Sequence, residues 1–242
     1  MERFWTAFLA SSVAGFVTTL GILTIRRYSD WGKRNATYFA SFAAGVLLSV
    51  SFLHLIPESF AMAPRAPVGL LAGYAGTHLV SRFIAAYLCD RPSTADYAIG
   101  LVPMVGVGFH SFVDGVVHSV TFQVSIFTGV AAAVGMLLHE FPEGMVTYTL
   151  LHRGGMSAGR SAWISFFAAA LTTPVGMLLS YPAVGVLDEN LLGLMLAVCA
   201  GTLVYVGATH LVPHTEHEPR RFSLLVMASG VIAALGILFA RP

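Results

Sequence analysis

Apolar residues dominate this chain in long unbroken runs, and polar residues gather between them. Eight runs suffice to cross a bilayer as helices, which takes about 20 apolar residues each. They cover residues 4–25, 37–58, 68–89, 97–119, 124–151, 161–186, 190–213 and 222–240. The links between them are short, which predicts one all-α integral membrane domain over residues 1–242 with no soluble appendage. The first run follows Met1-Glu2-Arg3-Phe4-Trp5. It is too long and too weakly flanked for a cleavable signal, so it reads as the first span.

Composition removes the soluble alternative. Of 242 residues, 56% are hydrophobic and 10% charged, where a soluble domain carries about a quarter charged residues. Such a chain cannot cover itself against water. A net charge of +1 offers no basic excess for nucleic acid. Cys89 and Cys199 fall in or beside apolar runs and read as small buried hydrophobes rather than a disulfide pair. The basic residues set the orientation. With eight spans both termini share one side. The opposite side takes Arg26, Arg27, Lys33, Arg34, Arg82, Arg91, Arg153, Arg160, Arg220 and Arg221, against Arg3, Arg65 and Arg241. This ten-to-three split predicts a multi-pass protein of the cell membrane with both termini outside the cytoplasm.

The fourth and fifth runs carry polar residues where they are expensive. A charged side chain at the centre of a spanning helix costs about 2.5–3.5 kcal/mol and marks function by default. Run four reads His110-Ser111-Phe112-Val113-Asp114-Gly115, and run five reads His139-Glu140-Phe141-Pro142-Glu143-Gly144. Both follow His-x-Phe-x-acid-Gly, offset by 29 residues. Histidine and acid stand at i and i+4, so each pair projects from one helical face. A short link near residues 120–123 makes the two helices antiparallel neighbours, and four ligand-type side chains converge near mid-membrane. Two imidazoles and two carboxylates suit Zn²⁺ and other borderline divalent ions. Pro142 cannot donate to the carbonyl of Leu138, which leaves that oxygen free to face a cavity or an ion. A duplicated pattern with a further acid, Glu140, outweighs the reading of these residues as polar contacts between packed helices.

A second set is less distinctive. Run two ends in His54-Leu55-Ile56-Pro57-Glu58 and run seven in His210-Leu211-Val212-Pro213-His214, so His-Leu-x-Pro occurs twice in opposite directions across the membrane. This resembles the inverted repeat common in transporters. His54 and Glu58 then approach the outer face, and His210, His214, Glu216 and His217 the inner one, as candidate relay sites at entrance and exit. His118, one turn beyond Asp114, is either an outer ligand or a helix-end residue. His78 reads as a packing residue and His152 as a solvated loop residue.

At these residues the chain resembles the ZIP (Zrt-, Irt-like protein) family of divalent metal transporters. His110 to Gly115 is similar to the family's span-four signature, His-Asn-x-x-acid-Gly, and His139 to Gly144 closely resembles its span-five signature. The resemblance implies an eight-helix ZIP-like bundle with inverted repeats and uptake of Zn²⁺ into the cytoplasm. His110, Asp114, His139 and Glu143 would be ligands of the main transport site, and Ser111 and Glu140 would stand where some members hold a second metal. It also implies a homodimer and an elevator-like motion. The chain departs from the pattern at Ser111, which replaces asparagine. It departs again at Thr172-Thr173-Pro174, where two-metal members place an acid before proline. The short link around Cys89 to Asp96 lacks the His-rich loop of many relatives. Zn²⁺ is expected as the transported ion, with Cd²⁺, Fe²⁺ and Mn²⁺ as competitors, and no catalytic cofactor. No P-loop is present, so no nucleotide partner is expected. The rival reading is an intramembrane zinc hydrolase, because His139-Glu140-x-x-Glu143 resembles the His-Glu-x-x-His of metalloproteases, in which the glutamate is the base.

Overall fold

The computed structural model describes residues 2–88, 97–213 and 221–239, and among them every regular element is a helix. We number the helical rods in chain order. They are α1 (Glu2–Arg27), α2 (29–62), α3 (Ala66–Leu88), α4 (Tyr97–Val124), α5 (Ile126–Arg153), α6 (Ala158–Val184), α7 (189–211) and α8 (Ser223–Phe239). By length and composition, Glu2–Arg27, Thr37–Met62, Ala158–Val184 and Glu189–Thr209 can cross a membrane over their described residues.

Each rod lies on one of the apolar runs, but the ends differ. The link expected at 120–123 is helical, because Val120-Thr121-Phe122-Gln123-Val124 contains neither glycine nor proline. The turn is instead the single residue Ser125, extended at φ −159°, ψ 158°, whose Oγ accepts from the Thr128 N–H at 3.0 Å. A serine in this position satisfies one of the unpaired amides of a helix start. Lys33, which falls between the first two apolar runs, lies within the helix Ser29–Val50.

Three rods contain a wide π-helical turn: Ser51–Leu55 in α2, Phe166–Ala170 in α6 and Tyr205–Leu211 in α7. Each stands just before a proline, namely Pro57, Pro174 and Pro213. Proline lacks the N–H and crowds the carbonyl four residues earlier, and widening the preceding turn relieves that crowding. In α6 the Leu171 N–H bonds back five residues to Phe166 O at 2.9 Å, and Pro174 has no N–H to offer the Ala170 carbonyl.

The most extensive pairings are α1 with α5, α4 with α6, α2 with α8 and α3 with α7. The two that frame the metal motifs rest on the glycines that close them. A Cβ on Gly144 would lie 2.2 Å from the Thr18 carbonyl of α1, and one on Gly115 2.1 Å from the Thr173 carbonyl of α6. Backbone approaches this close are open only to glycine. They set α4 and α5 between α1 and α6, with α2 packed on α5. The largest core cluster joins Val46, Leu47, Val117, Val120, Met136 and Leu203, all at most 1% exposed.

Candidate metal centre

The α4–α5 hairpin turns at Ser125, so its two motifs lie at similar depth, and helical periodicity brings each His–acid pair onto the shared face. The four side chains meet there. His139 Nε2 lies 3.2 Å from Asp114 Oδ2 and 3.5 Å from Glu143 Oε2, and His110 Nε2 lies 3.5 Å from each of the same two oxygens. The four donor atoms all lie within 4.8 Å of one another. An ion bound tetrahedrally at about 2.0–2.2 Å sets its ligands about 3.3–3.6 Å apart. Four edges of the polyhedron therefore already have the length that a Zn²⁺-sized ion requires.

Burial grades across the group. The Asp114 and His139 side chains are 0% and 3% exposed, Glu143 11% and His110 25%. The exposed edge faces a cavity of about 340 Å³ lined by His110, His139, Pro142 and Glu143. The cavity continues past Ser81 of α3, Thr147 and Leu150 of α5 and Leu211 of α7, towards the end of the bundle where those rods finish. On the opposite side of the donors the core cluster around Val117, Val120 and Met136 forms an apolar seal. The donors therefore open onto a cavity on one side and are closed on the other.

The two candidates for a second metal position are engaged separately. Ser111 Oγ is 2.7 Å from Glu143 Oε1, close enough to donate to it, and 3.0 Å from the Val107 carbonyl. The donation fixes Glu143 with its other oxygen towards the histidines. Glu140 is fully buried and stands outside the four-donor group. Thr18 Oγ1 of α1 donates to its Oε2, and Thr173 Oγ1 of α6 reaches its Oε1 at 3.4 Å. Thr173 stands where an acid was expected in two-metal relatives and here supplies a hydroxyl. Thr18 was not singled out from the sequence. The signal available was the small-residue spacing Gly15-x-x-Thr18-x-x-Gly21 on one face of α1.

The remaining candidates are spread along the bundle. His54 lies on the π turn of α2, buried, with Nε2 3.2 Å from Thr128 Oγ1 and its ring edge-on to Phe127. Glu58 is half-buried one turn further on. His118 is not at a helix end: α4 continues to Val124, and the residue is fully enclosed. His210 lies on the π turn of α7, while His214, Glu216 and His217 lie outside the described residues, as do Cys89 and Arg91. His78 packs edge-on against Tyr205. His152, expected in a loop, stands in the last turn of α5, where its Nδ1 is 3.0 Å from the Met156 carbonyl.

A buried His₂–carboxylate₂ group between apolar helices is a donor set suited to a divalent metal ion, set among helices of which four are long and apolar enough to cross a membrane. Comparison with known proteins makes the class specific: the profile of the family described as ZIP Zinc transporter matches residues 89–239, and this chain belongs to that family. It is similar to zinc transporter ZIP10 of Homo sapiens, 25% identical over 153 residues, which is 62% of this chain and 18% of the relative. It is also similar to metal cation symporter ZIP14 of Homo sapiens, 26% identical over 135 residues, 54% of this chain and 26% of the relative. Zinc transporter foi of Drosophila melanogaster is 23% identical over 142 residues, 58% of this chain and 20% of the relative. The chain thus spans between 14% and 29% of the length of these and other curated relatives it matches. The family is one of membrane metal transporters, not enzymes, which sets aside the hydrolase reading. The geometry agrees, since Glu140, the residue that reading needs as base, is engaged by Thr18 and Thr173 and does not line the cavity where a substrate would meet the donors.

Proposed function

We propose that this protein carries divalent cations, zinc foremost, across a membrane into the cytoplasm. His110, Asp114, His139 and Glu143 hold the ion midway, in a single transmembrane domain over residues 1–242 with eight spans and both termini outside. One observation carries the reading: four donors at tetrahedral spacing face a cavity on one side and an apolar seal on the other. A transport site must meet each compartment in turn, and this arrangement is one half of such a cycle. The cavity runs towards the end of the bundle that the basic residues assign to the cytoplasm, so the described state faces inward. With Ser111 and Glu140 engaged separately, the reading needs one cation position in this state.

The inverted repeat belongs to the same proposal. It is supported by the π turns at both His-Leu-x-Pro motifs and by the matching pairings α1–α5 with α4–α6 and α2–α8 with α3–α7. His54 and Glu58 serve the outer approach, and His210, His214, Glu216 and His217 the inner exit. An elevator-like motion and a homodimer rest on the family resemblance alone. Imidazole with carboxylate favours borderline ions, so Cd²⁺ competes best with Zn²⁺, ahead of Fe²⁺ and Mn²⁺. Flow down the metal gradient, aided by about 2.3 kcal/mol per charge per 100 mV of inside-negative potential, is a sufficient driving force.

The test is radioactive zinc uptake into proteoliposomes. Uptake that rises with the gradient and potential, and is lost in folded His139→Ala and Glu143→Ala, supports the proposal. Cleavage of peptide or lipid without metal flux would overturn it.

A further inference from the structure

Helix α4 carries three ligand-type side chains in one line, His110, Asp114 and His118, each four residues from the next and so on one face. The first two belong to the four-donor group and His118 does not. It lies one turn further from the cavity, 0% exposed, and neither Nδ1 nor Nε2 has a hydrogen-bond partner among the described residues. Its ring lies alongside Phe122, with centroids 6.3 Å apart and planes at 29°, a contact that satisfies neither nitrogen. Asp114 adds a second unpartnered group. Its Oδ2 faces His139, while its Oδ1 is buried without a partner.

Packing does not account for this pair. An imidazole removed from water and given no partner destabilises the fold, whereas the valines around it, Val117 and Val120, fill the same seal at no such cost. Buried polar atoms without partners are rare in native proteins and call for a specific explanation. The three unsatisfied atoms of His118 and Asp114 are all metal-ligand types. They continue the line of donors from the cavity, through the site, into the seal that closes the other side.

We propose that His118 and Asp114 Oδ1 form a hand-over position for the divalent cation. Resting on the transport reading, the inference adds a second station to it. An ion arriving from the side opposite the cavity binds His118 and Asp114 when the Val117–Val120 seal parts. It then moves one helical turn, about 5.4 Å, to the four-donor group. Asp114 remains a ligand throughout, through one oxygen and then the other. Imidazole with a single carboxylate admits Zn²⁺ and Cd²⁺ and discriminates against Mg²⁺ and Ca²⁺.

The experiment uses the full chain in proteoliposomes, with Zn²⁺ and Cd²⁺ as probes, and compares His118→Leu with His118→Cys, which keeps a metal ligand. In His118→Leu, uptake at subsaturating metal is expected to fall about tenfold or more, while equilibrium Cd²⁺ binding stays within about twofold of wild type. His118→Cys is expected to keep Cd²⁺ uptake within about threefold of wild type. Uptake by His118→Leu within about twofold of wild type overturns the proposal and leaves the transport reading intact. Parallel loss of uptake and equilibrium binding also overturns it, since His118 would then support the main site. If His118→Leu does not fold, His118→Cys is compared with the non-ligating His118→Ser, and equal fluxes overturn the proposal. Absence of flux in the wild type removes the transport reading, and this inference with it.

Discussion

The two metal motifs share a pattern and differ inside it, in the acid itself, Asp114 against Glu143, and at the second and fourth positions. Helix α4 has Ser111 and Val113 where α5 has Glu140 and Pro142. The serine points across the pair and orients Glu143. The glutamate engages the threonines of α1 and α6. The two donor pairs are therefore embedded unequally: Ser111 of α4 bonds to Glu143 of the other motif, whereas Glu140 ties α5 to α1 and α6. Identical ligand spacing does not imply identical roles for the residues between the ligands.

The largest expected effects test the equality of the donor pairs. Asp114→Ala and His139→Ala each remove a partner at 3.2 Å from the other motif, and loss of any one of the four donors should lower zinc binding and uptake by about 100-fold or more. Near-normal uptake in His110→Ala would break the equivalence of the motifs. Next come the closing glycines. Gly144→Ala and Gly115→Ala place a methyl group 2.2 and 2.1 Å from opposing carbonyls, and overpacking of this kind costs about 1–3 kcal/mol. Both should lower the thermal unfolding midpoint in detergent, whereas Gly76→Ala, with nothing within 4 Å of the new methyl, should not.

Ser111→Ala sharpens the inequality. Loss of a hydrogen bond to a charged group, about 1.5–3 kcal/mol, should weaken zinc affinity about tenfold and leave stability nearly unchanged. An unaltered Kd would show that Glu143 needs no orienting. The smallest effect belongs to Glu140→Gln. The amide oxygen still accepts from one threonine and the amide N–H can donate to the hydroxyl oxygen of the other, so uptake should stay within about threefold. A drop in the number of zinc ions bound per chain would instead make Glu140 a ligand.

The helices and the donor set were legible in the chain because both depend on local regularities. Apolar runs locate the rods, and the i, i+4 spacing with a short link forces His110, Asp114, His139 and Glu143 together. What was not legible depends on partners from distant segments. Nothing near Glu140 announces that Thr18, 122 residues away, donates to it. Nor does the sequence near His118 reveal that its nitrogens lie in an apolar seal rather than at a helix end. The end of α4 was misplaced for a local reason: hydrophobicity fades gradually after Ser119, but the helix stops only where Ser125 caps its successor.

The central claim is that a cation is coordinated between α4 and α5, and crystals soaked in cadmium and measured for anomalous scattering test it most directly. The expected result is a peak equidistant from His110 Nε2, Asp114 Oδ2, His139 Nε2 and Glu143 Oε2, absent in Asp114→Ala. Anomalous density elsewhere in the bundle with none among these four atoms would contradict it.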